Sequence, residues 1–364
     1  MNPNTHRLHA LGQRIWLDNI TRQLLRDGTL ARYISDLSVT GLTSNPTIFE
    51  HAIGSSDSYD EAIVRGAQGL SDEDLFFELA LQDLTQAADL LRTIFDSTHG
   101  ADGWVSLEVS PLLANDSAKT IKAAARLHTR AARPNLFIKI PGTLQGLAAI
   151  EQSIFDSVPI NVTLLFSREH YIAAAEAYLR GIERRVAAGL DPAIESVASL
   201  FVSRWDVAVK DQISPKLHNR LGLAVAAQTF TAYRELLDSH RWRKLASAGA
   251  RPQRLLWAST GTKDPAVRDT LYVEALAAAG TINTIPEKTL LAFADHGHIG
   301  PSLPADGGNA EAVLQEFRCE GIDLRALAAR LQREGVEAFA SSWSGLMAKI
   351  REKRPQPQTP QALS

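Results

Sequence analysis

The chain contains a single cysteine, Cys319. One thiol excludes an intrachain disulfide and a cysteine-rich metal site. Positive charge is not in excess: 38 Lys and Arg stand against 41 Asp and Glu, a formal net charge of -3. That balance supplies no basic field, and no nucleic-acid partner is expected. No apolar run is long enough to span a bilayer, so no membrane association is expected. Residues 1–13 are polar and lack the apolar core of a secretory signal. Cytoplasmic residence is the simplest reading. A glycine-rich first turn is missing as well, since the first candidate turn reads Asp18-Asn19-Ile20-Thr21. An open, doubly wound dinucleotide-binding sheet normally has one. There is no internal repeat.

What remains is a soluble globular composition, 45% hydrophobic and 22% charged over 364 residues. A chain of this length buries a large core without disulfides or metal. Short apolar, β-branched runs predict strands at 14–20, 38–43, 104–110, 135–141, 159–166, 196–203, 254–259 and 281–286. Helical spacing separates them, with Ser71 and Ser167 as candidate N-caps. Long helical stretches are expected at 72–95 and 206–247, and a helix at 265–279. Further helices are expected at 287–352.

Strands alternating with helices predict a parallel sheet. Eight such units are the count for a closed (β/α)8 TIM barrel, here with extra helices and a C-terminal helical extension. The expected organisation is one barrel domain over 1–352. The tail 353–364, with three prolines and three glutamines, is expected to be disordered.

One strand interrupts its apolar run with a lysine, Lys139, and then stops at Pro141-Gly142. A buried ammonium is costly unless it is paired or loses its proton. Desolvation favours the neutral amine, which is a nucleophile toward carbonyls. One reading is therefore a Schiff-base lysine. The other is a lysine that snorkels from an edge or pairs with a core carboxylate. In barrel enzymes the chemistry gathers at the C-terminal strand ends. Here those ends carry Asp18, Thr43 with Asn45, Glu108, Lys139, Asn161 with Thr163, Ser199 and Arg204, and Ser259. Singly, Asp18 reads equally well as a helix cap, Asn45 as a turn residue and Glu108 as an ion-pair partner. Together they are an inventory for imine chemistry on a polyhydroxylated phosphate ester.

Two long segments carry a family resemblance. Gly41-Leu42-Thr43-Ser44-Asn45-Pro46-Thr47-Ile48-Phe49 resembles the first signature of transaldolases. Asn135-Leu136-Phe137-Ile138-Lys139-Ile140-Pro141-Gly142-Thr143 resembles the second, which holds the Schiff-base lysine. Trp16-Leu17-Asp18, Leu107-Glu108-Val109-Ser110, Asn161-Val162-Thr163-Leu164 and Ser199-Leu200-Phe201-Val202-Ser203-Arg204 follow the family in chain order. The likeness runs from about residue 12 to 350 and is nearest to the longer bacterial form.

The resemblance implies a class I mechanism with no metal and no cofactor, acting on small-molecule sugar phosphates in the non-oxidative pentose phosphate pathway. It implies Lys139 as the imine lysine and Asp18 and Glu108 as proton carriers. Thr163 would place the catalytic water. Thr43, Asn45, Asn161 and Ser199 would hold substrate, and Arg204 its phosphate. From the residues themselves, Phe201 near a strand end reads either as a pocket wall that helps exclude water or as barrel packing. A second phosphate-binding arginine is expected after the seventh strand, but the segment reads Ala258-Ser259-Thr260-Gly261-Thr262-Lys263. Lys263 is the candidate replacement, as a point charge. A plain aldolase that releases dihydroxyacetone, and a non-catalytic sugar-phosphate-binding protein, are the alternatives. His296 and His298 read as a solvated loop, Trp257 as packing, and Cys319 as a small buried apolar residue.

Overall fold

The computed structural model describes residues 1–66 and 69–355. Eight strands close into one parallel barrel in chain order. They are β1 (Arg14–Leu17), β2 (Val39–Thr43), β3 (Trp104–Glu108), β4 (Leu136–Pro141), β5 (Ile160–Leu165), β6 (Ser196–Phe201), β7 (Gln253–Ala258) and β8 (Ile282–Ile285). β1 pairs with both β2 and β8, which seals the cylinder. The expected (β/α)8 barrel with additional helices is the fold observed. β1, β3 and β6 end two or three residues earlier than their apolar runs suggest, because Asp18, Val109 and Val202 already belong to the turns at the barrel mouth.

The walls are buried on both faces, as parallel strands covered by helices must be. Alternate side chains fall into two separate apolar clusters. Ile15, Leu17, Ile138, Ile140, Leu255 and Trp257 join the cluster under the helices. Trp16, Trp104, Phe137, Val197, Leu256 and Ile282 join the other, which fills the barrel. Trp104 stacks on Phe137 at 4.0 Å between ring centres, and Trp16 lies 6.2 Å from Phe137. Gly41 makes room for this plug, since a Cβ there would sit 2.6 Å from Trp16 Nε1. Trp257 is a packing residue, fully buried, with Phe230 6.4 Å away.

Ser71 and Ser167 cap their helices as predicted, accepting from the backbone N–H of Asp74 and His170. The helix expected at 265–279 contracts to Leu271–Ala275. The residues before it are held as a loop: Asp264 accepts from Asn219 Nδ2 at 3.0 Å, and Thr262 Oγ1 donates to Arg268 O at 3.1 Å. Cys319 is exposed, against expectation. Its helix, Ala310–Cys319, buries Ala310, Val313, Leu314 and Phe317, and that 3.6-residue stripe leaves Cys319 outside.

Asp323 caps a closing helix, Leu324–Lys353, whose 30 residues extend about 45 Å. Lys353 was expected to open the tail but is the last helical residue. Its ammonium bonds Ser56 O and Asp60 Oδ1, both at 2.6 Å. The remainder of that expected tail, 356–364, lies outside the described residues.

Candidate active site

Register builds the site. Lys139 on β4 pairs across the sheet with Glu108 on β3 and with Asn161 on β5. Adjacent strands therefore bring an amine, a carboxylate and an amide to one layer, above the aromatic plug that includes Phe137. Lys139 and Glu108 are each only 5% exposed. Lys139 Nζ donates to Ser44 O at 2.9 Å and lies 3.3 Å from Glu108 Oε2. That carboxylate oxygen makes no hydrogen bond among the described residues, so the contact is an ion pair without hydrogen-bond geometry. The local chain explains the Ser44 carbonyl. Asn45 is extended and caps the Pro46–Gly54 helix through its Oδ1, which accepts from Ile48 N at 3.0 Å. Pro46 is well tolerated in that first turn because it needs no N–H partner there.

Asp18 follows β1, with its backbone N–H bonded to Ile285 O at 2.8 Å. Its Oδ1 accepts from Thr43 Oγ1 at 2.8 Å, and Thr43 Oγ1 is 2.6 Å from Thr284 Oγ1. Burial pushes both Asp18 and Glu108 above the usual carboxylate range. Lys139 opposes the shift at both. The Thr43 hydrogen bond and Lys263 also restrain Asp18, whereas the Asp18 charge pushes Glu108 further up. Part of the Asp18 side chain stays open to the cavity.

Asn161 lies behind the cavity wall. Ser199 Oγ donates to its Oδ1 at 2.7 Å, and its Nδ2 donates to Ser106 Oγ at 3.1 Å. Thr163 Oγ1 is buried and has no partner among the described residues. Thr163 lines the same cavity as Lys139. Arg204 opens the helix after β6 and is half-buried. Its guanidinium carbon lies 5.2 Å from the Phe201 ring centre and 5.9 Å from that of Phe339. Burial lowers its pKa, and Glu334 partly offsets this. Lys263 is exposed at the rim. Between them Ser259 adopts the left-handed conformation, φ +56, with its Oγ 2.9 Å from Ser203 Oγ.

These groups surround one cavity of about 220 Å³. Asp18, Thr43, Asn45, Lys139, Thr163, Ser199, Phe201, Arg204 and Lys263 line it; Glu108 and Asn161 stand one layer back. Sequence reasoning missed Ser106, Thr284 and Phe339. Ser106 and Thr284 were detectable by counting in twos from Glu108 and from Ile282. Phe339 carries no local signal, since it arrives on the closing helix. A larger cavity of about 730 Å³ opens among outer helices at Arg168, Leu314 and Arg325, and neither Lys139 nor Asp18 lines it. Among the described residues no three His, Cys, Asp or Glu are grouped to hold a metal. His296 is exposed and pairs with Asp269 and Asp295 at 2.9 and 3.1 Å. No helix of the described residues is long and apolar enough to cross a membrane.

Residues 15–350 match the family model described as transaldolase/fructose-6-phosphate aldolase. The chain belongs to this family. A protein named transaldolase from Thermobifida fusca is 43% identical, over 97% of this chain and 99% of its own length. One from Saccharopolyspora erythraea is 42% identical over 97% of this chain and 98% of its own. A third, from Thiobacillus denitrificans, is 44% identical over 95% and 99%. The family likeness read from the two long motifs is thus a likeness of nearly the whole chain.

Proposed function

We propose that the protein is a transaldolase that moves a dihydroxyacetone unit between sugar phosphates through an imine on Lys139. The observation that carries this is the buried Lys139–Glu108 pair at the end of β4, facing a cavity with Asp18 at one wall and the cationic Arg204 at another. Lys139 Nζ attacks the C2 carbonyl of a ketose phosphate such as fructose 6-phosphate or sedoheptulose 7-phosphate. The carbinolamine loses water to give the imine. Glu108, whose burial favours the protonated form, moves protons through a water placed by Thr163.

Asp18 then accepts the C4 hydroxyl proton. The C3–C4 bond breaks, and its electron pair enters the imine to form an enamine on Lys139. The aldose phosphate leaves. Thr43, Asn45 and Ser199 hold the hydroxyls of the retained three-carbon unit, with Asn161 orienting Ser199 from behind, and Phe201 shields the unit from water. A second aldose phosphate, erythrose 4-phosphate or glyceraldehyde 3-phosphate, reverses the steps. Arg204 anchors the phosphate, with Lys263 as a second cation at the rim. Arg204 has no ion pair or hydrogen bond among the described residues, which suits a cation kept for a ligand.

Product analysis separates transfer from simple cleavage. With fructose 6-phosphate alone and no acceptor, free dihydroxyacetone should be a trace product. With fructose 6-phosphate and erythrose 4-phosphate, sedoheptulose 7-phosphate should accumulate. Free dihydroxyacetone in proportion to fructose 6-phosphate consumed would make the protein an aldolase instead.

A further inference from the structure

The closing helix reaches the mouth of the barrel with three residues on one face, Gln332, Gly335 and Phe339. Gln332 is half-buried, and its Nε2 donates to Gly142 O at 3.1 Å and to Leu164 O at 3.0 Å. These two carbonyls terminate β4 and β5. Gly142 N already bonds Thr163 O at 2.8 Å, so Gln332 adds a second tie across the same pair of strand ends. Leu164 needs such a tie. It is a left-handed residue, φ +58, inside a strand whose register against β6 slips between Val162 and Leu165. A side chain rarely adopts that conformation unless its surroundings hold it. The residue just before it is Thr163, whose buried hydroxyl has no partner among the described residues and lines the cavity with Lys139.

We infer that Gln332 is a positioning residue for the imine step: its amide pins the outward-rolled end of β5 to that of β4 and so fixes the Thr163 hydroxyl in the Lys139 cavity. Gln332 itself does not line that cavity. Its influence passes through the backbone on either side of Thr163. The inference rests on the proposed imine chemistry and adds to it a residue far along the chain from every strand end.

A double-mutant cycle tests it. The rate of imine formation with fructose 6-phosphate is read in single turnover by borohydride quench, which follows rates far below normal turnover. Gln332→Leu removes both donors at similar volume. It should slow imine formation about tenfold in the wild-type background, a loss expected of a misplaced catalytic group. In a Thr163→Ala background the same change should cost less than about twofold, because the group it positions is gone. KM for fructose 6-phosphate should stay within about twofold. Equal losses in both backgrounds would show general loosening and overturn the inference, as would an unchanged rate in Gln332→Leu. Should Gln332→Leu fail to fold, Gln332→Asn keeps the amide with a shorter reach and should show the same coupling with a smaller loss. A wild-type protein that gives no adduct on Lys139 overturns the imine reading first and this inference with it. A normal wild-type adduct with uncoupled variants overturns only the role of Gln332.

Discussion

Asp18 and Glu108 are both raised by burial, but they keep different company. Asp18 accepts a hydroxyl hydrogen bond from Thr43, and Glu108 faces Lys139. Carboxylates in unlike surroundings can divide proton duties. If Asp18 is the base in bond cleavage, activity falls in acid as its carboxylate is protonated. Thr43→Val removes a hydrogen bond made to the charged form, which raises the Asp18 pKa further. The acid limb of kcat/KM should therefore move to higher pH. A pH–rate profile checks this, and a limb that stays put or moves to lower pH separates Asp18 from the limiting proton transfer. Lys139, Asp18 and Glu108 are legible in the sequence because charge is conspicuous in an apolar strand. Thr284 and Ser106 are less conspicuous, since a threonine or serine in a strand is ordinary and only the two-residue alternation points to them. The register then shows that they face the mouth.

Among the elements, the closing helix is the least predictable from sequence, yet it reaches the site through Phe339. Its pattern reveals an amphipathic helix, but not that residues more than 160 positions apart meet at Gln332. Gly335 shows how closely it lies: a Cβ there would come 2.9 Å from Leu164 Cδ2 and 3.4 Å from Arg204 Nη1. Arg204→Ala should raise KM for phosphorylated substrates about tenfold, close to the loss of one charge-assisted contact. Lys263→Ala should act in the same direction if it is the second anchor. Steady-state kinetics with glyceraldehyde 3-phosphate and unphosphorylated glyceraldehyde as acceptors check both. A KM unchanged for the phosphorylated acceptor removes the residue concerned from the anchor. The loop before Leu271–Ala275 was misread for a related reason. Its helical spacing is overridden by Asp264, which a partner from a distant loop, Asn219, holds in place.

The barrel as a whole is legible because eight buried strands at helical intervals leave few alternatives. Its stability against pH is not, because that depends on groups brought together late. Asp206 is buried, accepts from Leu221 N at 2.9 Å and from Tyr272 Oη at 2.8 Å, and is pushed by burial to about 6. A carboxyl raised above its ordinary value stabilises the fold most where it is protonated. That contribution is lost as pH rises from the ordinary value of 3.8 through about 6. Relative to Asp206→Asn, the wild type should therefore lose on the order of 3 kcal/mol of unfolding free energy between about pH 4 and about pH 7. Urea titrations at each pH check this, and a wild type that keeps or gains stability relative to Asp206→Asn from about pH 4 to about pH 7 contradicts it.

The central claim is the imine on Lys139, and borohydride trapping with fructose 6-phosphate followed by peptide mass spectrometry tests it most directly. The account predicts a reduced sugar or three-carbon adduct on Lys139, reduced by prior addition of erythrose 4-phosphate. It also predicts that Asp18→Ala still forms the sugar adduct while carbon–carbon cleavage slows. A folded wild-type protein that carries no adduct on Lys139 would contradict it.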